Sequence, residues 1–276
     1  MLHHTLISRF NLATPGREVA FRARPGWLAE RFDLFERFCL PSVAAQTCQA
    51  FDWIVFFDDE TPGWARERVE QLQAVRPFRA LYTPLFDNDG WARAVREMAG
   101  PAQAGRMIVT TNLDNDDALG FDFIERVQKS ARAHFSGSRI AINVPDGYIL
   151  ADRAIYAYRH LQNAFTNMAE PDDEAMATTM TIRHTELFDH LPVFQAHGAA
   201  GWLQVVHGGN VSNRIRGRRI GGDEARRQFP REVLGEIVEP SLPARLFEAA
   251  LAVPFRTLRD RLFTLVRRIV RVDSDA

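Results

Sequence analysis

Short apolar runs alternate with longer stretches of three-and-four spacing through the first half of the chain, which predicts strands alternating with helices. Thr5 to Ile7 reads as a first short strand. Leu28, Phe32, Phe35 and Cys39 recur among charged residues from Trp27 to Ala45, the pattern of a helix with one apolar face. Trp53 to Phe57 is a continuous apolar run, as expected of a central parallel strand. Pro62 to Val75 carries Trp64, Val69 and Leu72 behind a proline suited to a helix start. A strand is expected at Arg79 to Tyr82, a helix at Gly90 to Met98, a strand at Met107 to Leu113 and a helix at Phe121 to Ala133. Arg139 to Val144 and Gly147 to Leu150 read as strands around a Pro145-Asp146-Gly147 turn, and Thr178 to Ile182 favours strand. This order predicts an α/β fold, a mostly parallel sheet with helices on both faces. One domain is expected over residues 1–240, with a tail over 241–276.

Two of the predicted strands end in carboxylates. Met107-Ile108-Val109-Thr110-Thr111-Asn112 leads to Asp114-Asn115-Asp116-Asp117, and Trp53 to Phe57 leads to Asp58-Asp59. Ligands of open α/β sheets bind beyond the carboxyl ends of the strands, so both acidic groups reach one rim. Like charges this close are tolerated around a hard divalent cation or in full solvent. A cation held by one or two carboxylates keeps positions free for substrate phosphates. A solvated Asp/Asn turn is the alternative for either group alone. Arg9 and Asn11 follow the first strand at the same rim, where an arginine can hold a diphosphate through paired hydrogen bonds. His207 ends a further apolar run before Gly208-Gly209 and reads either as a structural histidine or as a ligand.

The segment "PSVAAQTCQAFDWIVFFDDETP" resembles the opening of family 2 type glycosyltransferases of the GT-A fold, where a helix ending in Ser-x-x-x-Gln-Thr precedes a strand ending in Asp-Asp. "TNLDNDDAL" resembles their DxD element. With "SRFN" (Ser8 to Asn11) and "WLQVVHGGNVSNR" (Trp202 to Arg214), the set is similar to a bacterial rhamnosyltransferase family, in collinear order from about Thr5 to about Gly217. The resemblance implies a GT-A-like fold and transfer of a sugar, in name rhamnose, from a nucleotide-diphosphate donor to a glycan or lipid-linked acceptor in surface glycan synthesis. It implies a divalent metal, Mn2+ or Mg2+, held by Asp116 and His207, with Asp117 as a further ligand or as a residue that orients the others. Donor contacts are then expected from Arg9, Asn11, Asp58, Asp59 and Asp114. A proton acceptor is required. The candidates are Asp172, Asp173, Glu174 and His197; none sits in a clear motif, and a solvated acidic loop is the alternative. Two other functions use the same residues: a metal-dependent nucleotidyltransferase or phosphohydrolase, and a nucleotide-sugar or glycan-binding domain without turnover.

The formal net charge of -1 gives no reason to expect nucleic-acid binding. The basic side chains are arginines except Lys129. Cys39 and Cys48 have no partners at zinc-like spacing and form no disulfide framework, which fits a cytoplasmic, reducing compartment. Neither a signal peptide nor a membrane-spanning run is expected. Past Pro254, Phe255, Leu258, Leu262, Leu265 and Ile269 recur at three and four among arginines. Such a basic amphipathic helix docks on the domain, pairs with a second copy or lies on an anionic membrane at the inner face.

Overall fold

The computed structural model describes all residues except 13–21, 23, 85–87, 183, 208–213 and 261–276; side chains at 88, 184 and 185 are also left aside. A seven-stranded sheet has the order β10-β6-β9-β4-β1-β2-β3. In it β1 (Leu2–Arg9) is flanked in parallel by β2 (Asp52–Asp58) and by the central strand β4 (Met107–Asn112), with β3 (Arg79–Thr83) parallel to β2 at the edge. On the other side β9 (Asn167–Pro171) runs antiparallel between β4 and β6 (Ile140–Asn143), and β10 (Val193–Gln195) closes that edge parallel to β6. β9 was not legible as a strand: its polar and proline-ended sequence is held by its two neighbours.

Helices cover both faces, as expected. The first runs from Trp27–Leu34 (α1) through a π-helical turn, Phe35–Cys39, into Leu40–Ala44 (α2). Together with α3 (Gly63–Gln73) and α5 (Phe123–His134), it buries Phe32, Phe35, Val69, Phe123 and Val127 against one face. On the other face α4 (Asn88–Ala99) places Trp91 and Val95 over Ile7, Ile54 and Ile108, and α6 (His184–His190) places Leu187 and Phe188 over Ala141 and Met168.

A second sheet, in the order β12-β8-β7-β11-β5, is made by β5 (Ala118–Leu119), β7 (Asp146–Ala151), β8 (Ala154–Arg159), β11 (Trp202–Val206) and β12 (Arg218–Ile220). The turn expected at Pro145 is therefore a crossing between sheets, because β6 and β7 belong to different ones. β7 and β11 pair in parallel, and a Cβ on Gly147 would fall 2.0 Å from the Trp202 ring, so only glycine lets the two strands approach there. Thr178 to Ile182 is not a strand. Thr178 has φ 78°, and its amide is drawn to Glu170 Oε1 at 2.8 Å.

A buried polar ladder crosses the large sheet near its centre. Gln128 donates to His4 Nδ1 (3.4 Å), His4 Nε2 lies 2.9 Å from Thr111 Oγ1, and Thr111 donates to Asn167 Oδ1 (2.6 Å). Burial, with the neighbouring His3 and Arg132, pushes the His4 imidazole down to about 3, so it serves the fold as a neutral ring.

The tail departs from expectation. Leu242–Phe247 (α7) passes through a π-helical segment, Glu248–Ala252, into helix over 253–260, so the helix expected past Pro254 begins before it. The wider turn just before Pro254 accommodates a ring that would clash in a regular helix. Leu242, Leu246, Phe247, Leu251, Phe255 and Leu258 stay exposed. The docked side is polar: Arg256 pairs with Glu248 and lies over the Tyr156 ring, and Arg259 donates to Ile215 O (2.8 Å). Asp260 lies 3.5 Å from Arg214 and 3.7 Å from Arg216. The part of the stripe at Leu262, Leu265 and Ile269 lies outside the described residues. Among the described residues no helix is long and apolar enough to cross a membrane.

Candidate active site

β1, β2 and β4 are parallel neighbours, so Arg9, Asp58 and the acidic cluster all emerge at one rim. Asp116 is the centre of the arrangement, only 7% exposed. Its Oδ2 meets His207 Nε2 at 2.9 Å and Arg31 Nη1 at 3.2 Å. Burial opposes the charge on Asp116, but the hydrogen bond from His207 and the field of Arg31 outweigh it and hold the carboxyl down at about 2. Arg31 also donates to Asn115 Oδ1, while Asn115 Nδ2 donates to Phe10 O at 2.7 Å. Asp114 faces Arg9 at 3.7 Å.

Asp117 makes a different contact. It is fully buried and its Oδ1 accepts the Val205 amide at 2.9 Å. Burial, then the charges of Asp116 and Asp114, raise its carboxyl well above the usual range. Asp117 therefore does not converge with Asp116 and His207; it ties the cluster to β11, the strand that ends beside His207.

Asp58 and Asp59 divide. Asp58 turns inward, pairing with Arg22 Nη2 at 2.6 Å and accepting the Glu60 amide at 2.9 Å, whereas Asp59 is exposed. Asn11 bridges the ends of β1 and β2: its Oδ1 accepts the Asp58 amide (3.1 Å) and its Nδ2 donates to Thr61 Oγ1 (3.0 Å). Asn11 therefore shapes the rim beside Asp58.

None of the four candidate proton acceptors has a described contact with the acidic cluster. β9 pairs Pro171 with Met107, so Asp172, Asp173 and Glu174 stand at the start of β4 while the acidic cluster stands past its end. Asp172 is locked by Arg106 Nε at 2.6 Å, Asp173 accepts the Ala175 amide at 2.9 Å, and Arg96 reaches the Glu174 carbonyl at 2.7 Å. His197 precedes β11, at the opposite end of that strand from His207, and its Nδ1 is 3.2 Å from Arg159 Nη2. Asp173 and Glu174 are thus corrected from catalytic candidates to residues at the opposite end of β4, while His197 follows the end of β10 and has no described contact with the acidic cluster. A loop rich in carboxylates reads the same from sequence at either end of a strand; only the antiparallel pairing of β9 decides which.

Arg22 and Arg31 were missed. Arg31 sits in an amphipathic helix, where an arginine reads as solvent-facing, and only the packing of α1 over β1 and β4 brings it to Asp116. The Ser-x-x-x-Gln-Thr element also acquires a physical role. Ser42 Oγ accepts the Leu119 amide (3.1 Å), Gln46 Oε1 accepts the Ile124 amide (3.1 Å), Gln46 Nε2 donates to Gly120 O (2.8 Å), and the Thr47 amide donates to Phe121 O (2.8 Å). The helix end therefore clamps the segment that leaves the acidic cluster.

Among the described residues no three metal-binding side chains converge. Two do: Asp116 Oδ2 and His207 Nε2 are 2.9 Å apart, near the roughly 3 Å edge expected between adjacent ligands at about 2.1 Å from one ion. The pair fits an ion that takes its other positions from water and phosphate.

None of the curated proteins matches the chain. Solved structures similar to it include S. aureus TarS (TM-score 0.40, 11% identity, 74% of this chain and 37% of that one). Residues 1-349 of the same protein give a TM-score of 0.42 at 10% identity, over 74% of this chain and 60% of that one. The inositol-1-phosphate CTP transferase from T. maritima gives 0.35 at 10% identity, over 76% of this chain and 92% of that one. The chain thus spans less than two thirds of either TarS chain, and these likenesses are too distant to carry a functional argument. The family described as "Putative rhamnosyl transferase" matches residues 3–219, which include every element of the rim. The α/β, mainly parallel architecture is the GT-A-like one that the resemblance implies, and the chain belongs to this family of glycosyltransferases.

Proposed function

We propose that the protein is a divalent-metal-dependent glycosyltransferase that moves a sugar, rhamnose by the family's name, from a nucleotide-diphosphate donor to an acceptor hydroxyl. The carrying observation is the meeting of Asp116 Oδ2 and His207 Nε2 at 2.9 Å on a rim that also bears Arg9, Arg22 and Arg31. Asp116 and His207 would hold the ion, and the bound ion would supply positive charge to the leaving diphosphate. Arg9 and Arg31 stand where a diphosphate would pass and can stabilise the charge that develops on it. Asp58, fixed by Arg22 and Asn11, is placed to accept a hydrogen bond from the nucleoside. The test is a thermal-shift and transfer panel of nucleotide sugars with and without manganese. A rise in melting temperature for one nucleotide sugar that requires manganese, with release of nucleoside diphosphate, is the expected result. Release of pyrophosphate or inorganic phosphate would mark a nucleotidyltransferase or phosphohydrolase instead; binding without turnover would mark a binding domain.

The tail adds a location to this reading. Its apolar side chains point away from the domain while its polar side is docked, the reverse of a helix that packs into a core. Arg261, Arg267, Arg268 and Arg271 follow in sequence. That combination suits an anionic bilayer, where each basic residue near the surface contributes about 1 kcal/mol. Full-length protein is expected to sediment with phosphatidylglycerol vesicles at low salt, and Leu251→Glu/Phe255→Glu to stay in solution. Both changes fall on exposed positions and should leave the fold intact. Light scattering without lipid decides the competing outcome: a mass that grows with concentration and falls in the variant means that the face pairs two copies.

A further inference from the structure

The rim continues past the acidic cluster. In strand order, β9, β6 and β10 follow β4, and their ends at that rim, the start of β9 and the ends of β6 and β10, carry a segment that the proposed donor site does not use. This is the loop from His160 to Thr166, between β8 and β9. It is anchored at both ends of its course. Near the acidic cluster, the Asn112 amide donates to Thr166 O (2.9 Å) and Asn112 Nδ2 donates to Ala164 O (3.2 Å). Farther along, Asn163 Nδ2 donates to Val144 O (2.8 Å) and the His160 amide donates to Pro145 O (2.8 Å). The loop therefore forms one wall from Asn112, two residues before Asp114, to the end of β10.

An open cleft of about 540 Å³ lies at the far end of that wall, lined by Arg159, His160, Leu161, Gln162, Phe188 and Gln195 among others. Its volume is in the range of small-molecule sites. Its lining joins apolar surface to flat polar groups. Leu161 is 54% exposed, and the His160 ring stacks on Tyr158 with centroids 5.5 Å apart. Gln195 is held in place by Asn143 Nδ2, which donates to its Oε1 at 2.7 Å, and it donates to Leu161 O at 3.3 Å. Asn143 is itself wholly buried, which fixes the position of Gln195. Arg159 brings no net charge, because Asp146 takes its Nη1 at 2.9 and 3.0 Å.

We infer that this cleft binds a neutral oligosaccharide, the acceptor of the glycosyl transfer proposed above, on which reading the acceptor role rests. Sugars present hydroxyls to planar polar side chains and their C–H faces to apolar ones, and the cleft offers both without a net charge. Reach sets the length. Three strand steps separate β4 from β10, roughly 14 Å at about 4.8 Å per step. A single sugar whose hydroxyl stands at Asp116 does not extend that far, whereas a short chain does. The acceptor class is therefore a neutral glycan of several units.

The test measures binding, so it does not depend on turnover. Saturation-transfer NMR follows rhamnose- and glucose-based oligosaccharides, from mono- to tetrasaccharide, with full-length wild type and with Leu161→Asp/Gln162→Ala. Both substitutions fall on exposed loop positions. Wild-type affinity should rise with chain length. The variant should lose about tenfold for the tetrasaccharide, the effect of one or two lost contacts, with monosaccharide binding and melting temperature unchanged. Equal wild-type affinity for mono- and tetrasaccharide overturns the inference, as does undiminished tetrasaccharide binding by the variant. A separate titration with nucleoside diphosphates keeps the two readings apart: glycan binding without nucleotide binding removes the transferase reading and leaves the cleft a glycan site.

Discussion

Asp116→Asn should lower kcat by about a thousandfold or more, the scale seen when a group that stabilises developing charge is removed. The carboxylate is the one described side chain that meets both His207 and Arg31, so its loss would remove the proposed ion ligand and disorganise both partners. Folding will also suffer. Arg31 is 16% exposed and would lose a charged partner, and breaking a buried pair from one side costs roughly 3–5 kcal/mol when nothing replaces it. Asparagine can still accept one hydrogen bond, so the cost should fall near or below the low end of that range. Manganese-dependent thermal stabilisation should vanish along with transfer. Wild-type transfer by folded Asp116→Asn in metal-free buffer would remove Asp116 from the mechanism.

His207→Ala should reduce transfer per folded molecule by about a hundredfold, over and above any loss of folded protein. The histidine is 21% exposed and donates one described hydrogen bond to a charged acceptor, worth about 1.5–3 kcal/mol. A fall in melting temperature of roughly 3–10 °C is expected from that loss. Activity per folded molecule is the deciding measurement. If it stays at the wild-type level after correction for the folded fraction, His207 is a structural residue and the ion has a single protein ligand.

The parts of the site that were legible in the sequence are those written by chain order along parallel strands. Arg9, Asp58 and Asp116 each follow an apolar run, and parallel pairing carries them to one rim without further information. What sequence could not supply came from across the sheet or from above it. Arg31 arrives through helix packing. Asp117 is distinguished from Asp116 only by the Val205 amide, from a strand far along the chain. Asp173 and Glu174 were misplaced because β9 turns against the direction of β4, and a run of Asn167-Met168-Ala169-Glu170-Pro171 has no alternating pattern to announce a strand. The second sheet was hidden for a related reason: β6 and β7 are neighbours in sequence but not in either sheet.

The contact between Arg31 and Asp116 gives the site a resident counter-ion. A cluster written as three aspartates carries far less charge than its formula suggests: Asp114 faces Arg9, Asp116 faces Arg31, and burial favours the neutral form of Asp117. The protein can therefore fold without an ion in place. An ion at Asp116 would compete with Arg31 for the same oxygen, and the guanidinium would then need an anion of its own. The donor's diphosphate is such an anion. Ion and donor are accordingly expected to bind as a cooperative pair, each weakly alone, and by linkage each should strengthen the other by the same factor. Calorimetry of manganese with and without nucleoside diphosphate reads that factor; a value of one would mean that Arg31 never exchanges its partner.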